Sequence, residues 1–172
     1  MQSSSNLAPV TITAATPADV PALLQLVKAL ADYENLSHEV VGTEADLMQH
    51  LFGDRPYAEA ILARVGDQPA GFALFFHNFS TFLMKPGIYL EDLFVLSDFR
   101  GRGIGKQLLQ AVGQLAVERS CGRLEWMVLD WNEPAIGFYE RMGAQLKPDW
   151  KLCRVTGNAL QQLADNASAS AQ

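Results

Sequence analysis

The run Tyr89-Leu90-Glu91-Asp92-Leu93-Phe94-Val95 continues through Leu96-Ser97-Asp98-Phe99 into Arg100-Gly101-Arg102-Gly103-Ile104-Gly105-Lys106, so a β-rich stretch feeds a glycine-rich turn that opens into a helix. That order suits the capture of an anion. Gly101, Gly103 and Gly105 leave backbone N–H groups unshielded, and a helix starting near Ile104 adds its unpaired first-turn donors and the positive end of its dipole. A diphosphate fits such a cradle. Spacing narrows the choice further. A P-loop needs four residues between its glycines and a Ser or Thr after its Lys, whereas Gly101 and Gly105 enclose three and Gln107 follows Lys106. The hydroxyl that would hold magnesium is missing, which argues against a nucleotide triphosphatase. A dinucleotide fingerprint would require glycine or alanine where Lys106 stands.

The elements that must position this loop follow from periodicity and punctuation. Val10-Thr11-Ile12-Thr13 suits a first strand, and Thr16-Pro17-Ala18-Asp19 starts a helix with Val20, Leu23, Leu24, Val27 and Leu30 on one face, ending near Tyr33. Thr43 caps a second helix carrying Leu47, Met48 and Leu51, before an Asp54-Arg55-Pro56 turn. Strands Ala58–Val65 and Ala70–Phe76 flank a Gly66-Asp67-Gln68-Pro69 turn, and a strand Ile88–Val95 leads to the glycine loop. Ile104, Leu108, Ala111, Val112 and Leu115 form the apolar face of the next helix. Arg123–Leu129 reads as a buried strand, and Glu133–Met142 as a short helix with Pro134 in its first turn and Gly143 as its stop. Leu152–Val155 and Ala159–Leu163 suggest a last strand and a terminal helical turn. The expected fold class is α+β, with a mixed, mostly antiparallel sheet flanked by helices on both faces.

Composition bounds the function. The 172 residues, 49% of them hydrophobic, suit one folded domain over residues 9–164, between tails at 1–8 and 165–172 expected to be disordered. A net charge of −6 opposes a general affinity for nucleic acid and favours cationic small molecules. No apolar run approaches the ~20 residues of a membrane span, and the start has no basic, apolar leader pattern, so a cytoplasmic location is expected. Cys121 and Cys153 stand apart, and His38, His50 and His77 are scattered, so no metal is expected.

Four blocks occur in one order: Ala31-Asp32-Tyr33-Glu34, Tyr89-Leu90-Glu91-Asp92, Arg100-Gly101-Arg102-Gly103-Ile104-Gly105 and Trp131-Asn132-Glu133-Pro134-Ala135-Ile136-Gly137-Phe138-Tyr139. Over roughly residues 10–160 the chain resembles the GCN5-related N-acetyltransferase (GNAT) superfamily, and within it the diamine acetyltransferase, or spermidine/spermine N1-acetyltransferase-like, branch. The resemblance implies an acetyl-CoA-dependent transfer to a primary amine of a small cationic acceptor such as a diamine or polyamine, in a homodimer. It places acetyl-CoA on Leu93, Phe94 and Val95, on Gly101, Arg102, Gly103, Ile104, Gly105 and Lys106, and around Asn132, Glu133, Pro134 and Ala135. A strand edge would serve the pantetheine amides through its main chain, whatever its side chains do in the core, and Lys106 either screens phosphate or decorates an exposed helix face.

The resemblance also assigns roles to the chemistry. An alkylammonium has a pKa near ~10.4, so exposing the free amine at pH 7 costs about 4–5 kcal/mol and a proton acceptor helps. Tyr139 resembles the acid that protonates the departing thiolate. Glu91 resembles a substrate-side carboxylate that attracts the ammonium or takes its proton through water, with a structural salt bridge as the other reading. Asp92 points to the opposite face if the strand is regular. Tyr33 and Glu34 match a substrate wall; Glu125, Trp126, Met127 and Trp150 either border the acceptor or serve packing and solvation. One departure stands out. Where polyamine enzymes of the branch carry an aspartate before the central strand, this chain has Phe79-Ser80-Thr81-Phe82-Leu83-Met84-Lys85-Pro86, which would hold a second ammonium less readily. Monoamine, diamino acid or aminoalkyl substrates therefore compete with spermidine; acetylation of lysine-like or thialysine-like amino acids is the rival enzyme reading, and a non-catalytic acetyl-CoA-binding regulatory module is the reading from another class.

Overall fold

The computed structural model describes residues 8–169, with side chains through Asp165, as two compact units, one running to Leu129 and one from Asp130. In the first unit, β1 (Val10–Ala14), β2 (Glu59–Val65), β3 (Gln68–Ser80), β4 (Lys85–Val95) and β5 (Leu124–Glu125) lie side by side in sequence order. The first four pair antiparallel, and β5 runs parallel to β4. The sheet is therefore mixed and mostly antiparallel, as expected.

Helices α1 (Val20–Tyr33) and α2 (Glu44–Phe52) begin where side chains replace missing backbone acceptors and donors. Thr16 donates its N–H and Oγ1 to Asp19 Oδ2, each at 2.8 Å, and Thr43 makes the equivalent box with Asp46. Leu23 and Leu26 of α1 and Leu51 of α2 share one buried cluster with Ala60, Leu62, Phe72 and Phe94 of the sheet. Helix α3 (Ile104–Glu118) covers the other face with Ile104, Leu108, Leu109, Val112 and Ala116 buried. Strand β2 is thus covered on both sides, which is why Ala60-Ile61-Leu62-Ala63 is buried without a break instead of alternating.

Several expectations change. The first hairpin turns on Gly66-Asp67 alone, because Gly66 takes φ +59° and Gln68 already pairs with Val65; Pro69 is tolerated beside a register shift that leaves Ala70 extra. Strand β3 continues past Phe76 to Ser80, and β4 begins at Lys85, so the Phe79–Pro86 segment is the end of a long hairpin whose turn is Thr81–Met84. The strand expected over Arg123–Leu129 shrinks to Leu124–Glu125, which pair with Ile88 and Tyr89, and the chain beyond Glu125 does not follow the edge of β4 further.

In the second unit, α4 (Glu133–Arg141) starts at Asn132, whose side chain accepts from Ala135 N at 3.4 Å, and ends before Gly143 at φ +94°. Leu152–Val155 forms no strand. The expected terminal turn is instead α5 (Gly157–Ala169), whose Ala, Leu and Gln content favours helix and which absorbs part of the tail expected from Asp165. The tail expected over residues 1–8 falls outside the described residues except for Ala8, as do residues 170–172.

Candidate active site

Strand β4 is paired to β3 along its length, Ala73 with Leu93, Phe72 with Phe94 and Gly71 with Val95, whereas β5 joins its other edge only at Ile88 and Tyr89. Beyond Leu90 no described strand occupies that edge. The main chain of Leu93, Phe94 and Val95 therefore lies along an edge without a strand partner, while Phe94 buries its ring and the other two side chains are half-buried.

The loop follows directly. Gly101 and Gly103 adopt φ +76° and +73°, a left-handed geometry that side chains resist, and a Cβ at either would stand in open space. Gly103 is the N-cap of α3 and has no side chain to cap it; the first helical bond, Gln107 N to Gly103 O at 3.0 Å, leaves the N–H groups of the first turn without an intrahelical acceptor. An exposed turn of free donors at a dipole's positive end fits a diphosphate such as that of CoA. Arg102 and Lys106 are exposed, with Arg102 over the Phe99 ring at 5.5 Å, Ile104 is buried in the core, and Gly105 is half-buried.

The condition under which Asp92 would face away from Glu91 fails. Leu74 pairs with Asp92 and Phe75 with Leu90, so Glu91 is the extra residue of a β-bulge and strict alternation is lost there. Glu91 is exposed and Asp92 half-buried. Burial first, then the charges of Glu91 and Glu34, pushes the Asp92 carboxyl from 3.8 up to about 7. Glu34, just past the end of α1, is itself raised by burial. Three carboxyl groups from two elements thus share one field. The sequence alone sets Asp92 on the face opposite Glu91; the bulge that removes that condition is a relation between β3 and β4 and leaves no mark in the sequence of β4.

The remaining site residues are spread differently. Tyr33, the last residue of α1, lies 6.2 Å from Phe94 between ring centres. Glu125 is engaged on the sheet: Asn78 Nδ2 donates to its Oε2 at 2.8 Å, and Arg123 Nε lies 2.8 Å from the same oxygen. Trp126 is half-buried and Met127 exposed, just past β5. In the second unit, Tyr139 lies within α4, half-buried, its ring 5.2 Å from that of Phe138; Asn132 is buried, Glu133 and Pro134 are exposed, Ala135 is half-buried, and Trp150 is largely exposed. Two surface grooves of the first unit, about 300 and 350 Å³, are lined by none of these residues; Ile61 and Phe75 line the first, and Val20 and Met48 the second. Among the described residues no cluster of His, Cys, Asp and Glu could hold a metal ion, and no helix is long and apolar enough to cross a membrane.

The profile of the acetyltransferase (GNAT) family matches residues 25–144. The chain belongs to that family of acetyl-CoA-using acyltransferases. It is similar to the L-ornithine N5-acetyltransferase NATA1 of Arabidopsis thaliana, 37% identical over 197 aligned positions covering 88% of this chain and 86% of the relative. The thialysine N-epsilon-acetyltransferase of Bos taurus is 33% identical, covering 90% of this chain and 97% of its own. Among solved structures, an integron cassette protein from the mobile metagenome of V. cholerae superposes with a TM-score of 0.76 at 30% identity, over 90% of this chain and 97% of that one.

Proposed function

We propose that the protein transfers the acetyl group of acetyl-CoA to the side-chain amine of a small diamino acid, of the ornithine or thialysine kind, by direct attack in a ternary complex. The observation that carries this reading is the bulge that sets Glu91 beside Asp92 where the edge of β4 loses its strand partner, a few residues from the anion cradle, with burial and the charges of Glu91 and Glu34 pushing the Asp92 carboxyl up to about 7. A base effective at neutral pH needs a proton affinity near the working pH, which an ordinary carboxylate lacks. Acetyl-CoA supplies the acetyl group as a thioester.

The residues divide the work. In the first unit Gly101 to Lys106 bind the diphosphate and the edge of Leu93–Val95 orients the pantetheine arm; the role of Asn132 to Ala135 at its thiol end rests on the family resemblance. Glu34 and Glu91 attract the ammonium. Asp92, or Glu91 through water, takes its proton, and the nitrogen lone pair then forms the C–N bond as the C–S bond breaks. Tyr139 holds the proton for the departing thiolate. Neither cysteine is needed, since no acetyl-enzyme forms. The family resemblance further supports a homodimer.

The hairpin end favours a diamino acid over a polyamine. Phe79, Phe82, Leu83 and Met84 are exposed there, and the one buried hydroxyl, Ser80 Oγ, accepts from Leu83 N at 3.2 Å. No carboxylate stands in that turn to meet a distant ammonium. CoA release is measured with L-ornithine, thialysine, lysine, putrescine and spermidine as acceptors. The diamino acids should give the highest kcat/KM; spermidine as the best acceptor overturns the choice, and no turnover with any of them overturns the reading.

A further inference from the structure

Arg100 is fastened on two sides. Its Nε donates to Val95 O at 2.9 Å, and its guanidinium carbon lies 4.6 Å from the centre of the Tyr33 ring and 5.6 Å from that of Phe94. Within about 6 Å, the face of an aromatic ring attracts a cation. The three partners come from separate places: Tyr33 ends α1, Phe94 lies in the body of β4 and Val95 ends it. Arg100 itself immediately precedes Gly101, where φ +76° begins the loop.

The position of Tyr33 gives this fastening a consequence. The next residue is Glu34, whose charge acts on Asp92 across the gap between α1 and β4. The end of α1 therefore carries one member of the carboxyl group and, one residue earlier, the ring on which Arg100 rests. An ammonium among Glu34, Glu91 and Asp92 would screen their repulsion and favour a closer approach of the end of α1 to β4, carrying the Tyr33 ring with it. Arg100, held between that ring and Val95 O, then sets the height at which the loop amides start.

We infer that Arg100 is a positioning residue that couples the amine side of the site to the acetyl-CoA loop, so that each ligand tightens the binding of the other; this rests on the acetyl-CoA:amine reading above. Linkage makes the effect reciprocal. A cation resting on an exposed ring shifts an equilibrium by about two- to five-fold, and that is the size of coupling expected.

CoA binds without turnover and serves as the probe. Its affinity is measured by calorimetry, alone and with saturating L-ornithine, for the wild type, Tyr33→Phe, Tyr33→Leu, Arg100→Gln and the Tyr33→Leu/Arg100→Gln pair, with circular dichroism confirming that each is folded. L-Ornithine should tighten CoA by about two- to five-fold in the wild type, and Tyr33→Phe, which keeps the ring, should retain more of that effect than Tyr33→Leu. The effect should vanish in Tyr33→Leu and Arg100→Gln, and the pair should lose no more than Arg100→Gln alone. Hydrogen exchange supplies an arm that needs no amine: the amides of residues 101–105 should exchange faster in Tyr33→Leu and in Arg100→Gln than in the wild type, and faster in Tyr33→Leu than in Tyr33→Phe. If Tyr33→Leu leaves loop exchange at the wild-type rate, or the two single losses of CoA affinity simply add, the coupling is refuted. Failure of the substrate reading looks different, with no acceptor turned over while loop exchange still follows the Tyr33 ring.

Discussion

Replacing Asp92 by Asn keeps the side chain's size and removes a carboxyl that the fold holds at about 7 against an ordinary 3.8. The gap, 7 − 3.8 = 3.2 pH units, corresponds at about 1.4 kcal/mol per unit to roughly 4 kcal/mol, and because Asp92 is only half-buried, about 2–3 kcal/mol is the expectation after screening by solvent. The sign follows from proton counting. A carboxyl whose folded value lies above its unfolded value binds more protons in the folded state between the two, so stability falls as pH rises from about 4 to about 7 and then levels off. The wild type should show that decline, and Asp92→Asn should lack this part of it. In urea unfolding at pH 4, 6 and 8, the variant's advantage should therefore grow from near zero to about 2–3 kcal/mol. Activity should move the other way. With acetyl-CoA saturating, wild-type kcat/KM should rise through about pH 7, and the variant should lose that inflection along with most of its rate at neutral pH. Parallel stability curves for the two proteins would refute the claim that the fold penalises this charge, and an unchanged inflection would remove Asp92 from the proton transfer.

Three further outcomes are expected. Tyr139→Phe should lower kcat by about 10²-fold or more with little change in acetyl-CoA affinity, since the ring stays and only the donor is lost; equal single-turnover rates would exclude the acid role. Gly101→Ala should lose about 1 kcal/mol of stability from its φ of +76° alone, because its Cβ meets no protein atom, and calorimetry should find weaker CoA binding; unchanged affinity would take Gly101 out of the cradle. Gly71→Ala should be destabilised by about 1–3 kcal/mol, since the new Cβ would stand 2.5 Å from Phe94 O across the β3–β4 ladder; a wild-type melting temperature would show that the two strands separate freely.

Local signals in the sequence carry local structure faithfully. Thr16 with Asp19 and Thr43 with Asp46 mark helix starts because both partners of each capping box lie within one turn, and Gly143 marks a stop for a reason confined to its own φ. Pairing is another matter. The length of β5 depends on how far the chain stays beside β4, and nothing between Arg123 and Leu129 records that. The bulge at Glu91 is a relation between β4 and the Leu74–Phe75 step of β3, so it is invisible in either strand read alone. The glycine loop was legible as a left-handed turn opening a helix, because its residue types state that geometry. Asp92 and Arg100 were not, since one takes its value from burial and two distant charges and the other from rings and a carbonyl brought together only by folding.

The extra residue in β4 has a meaning for heredity as well as for chemistry. In a regular ladder, losing one codon shifts every following residue against its partner and turns the core face outward. At a bulge two residues stand opposite one, so removing Glu91 would leave Leu90 opposite Phe75, Asp92 opposite Leu74, and Leu93 to Val95 in the register they already hold. The carboxylate sits at the one step of the β3–β4 ladder beyond the hairpin where chain length and sheet register are uncoupled. A lineage could discard the charge, or gain it again, without having to rebuild the sheet that carries the cradle.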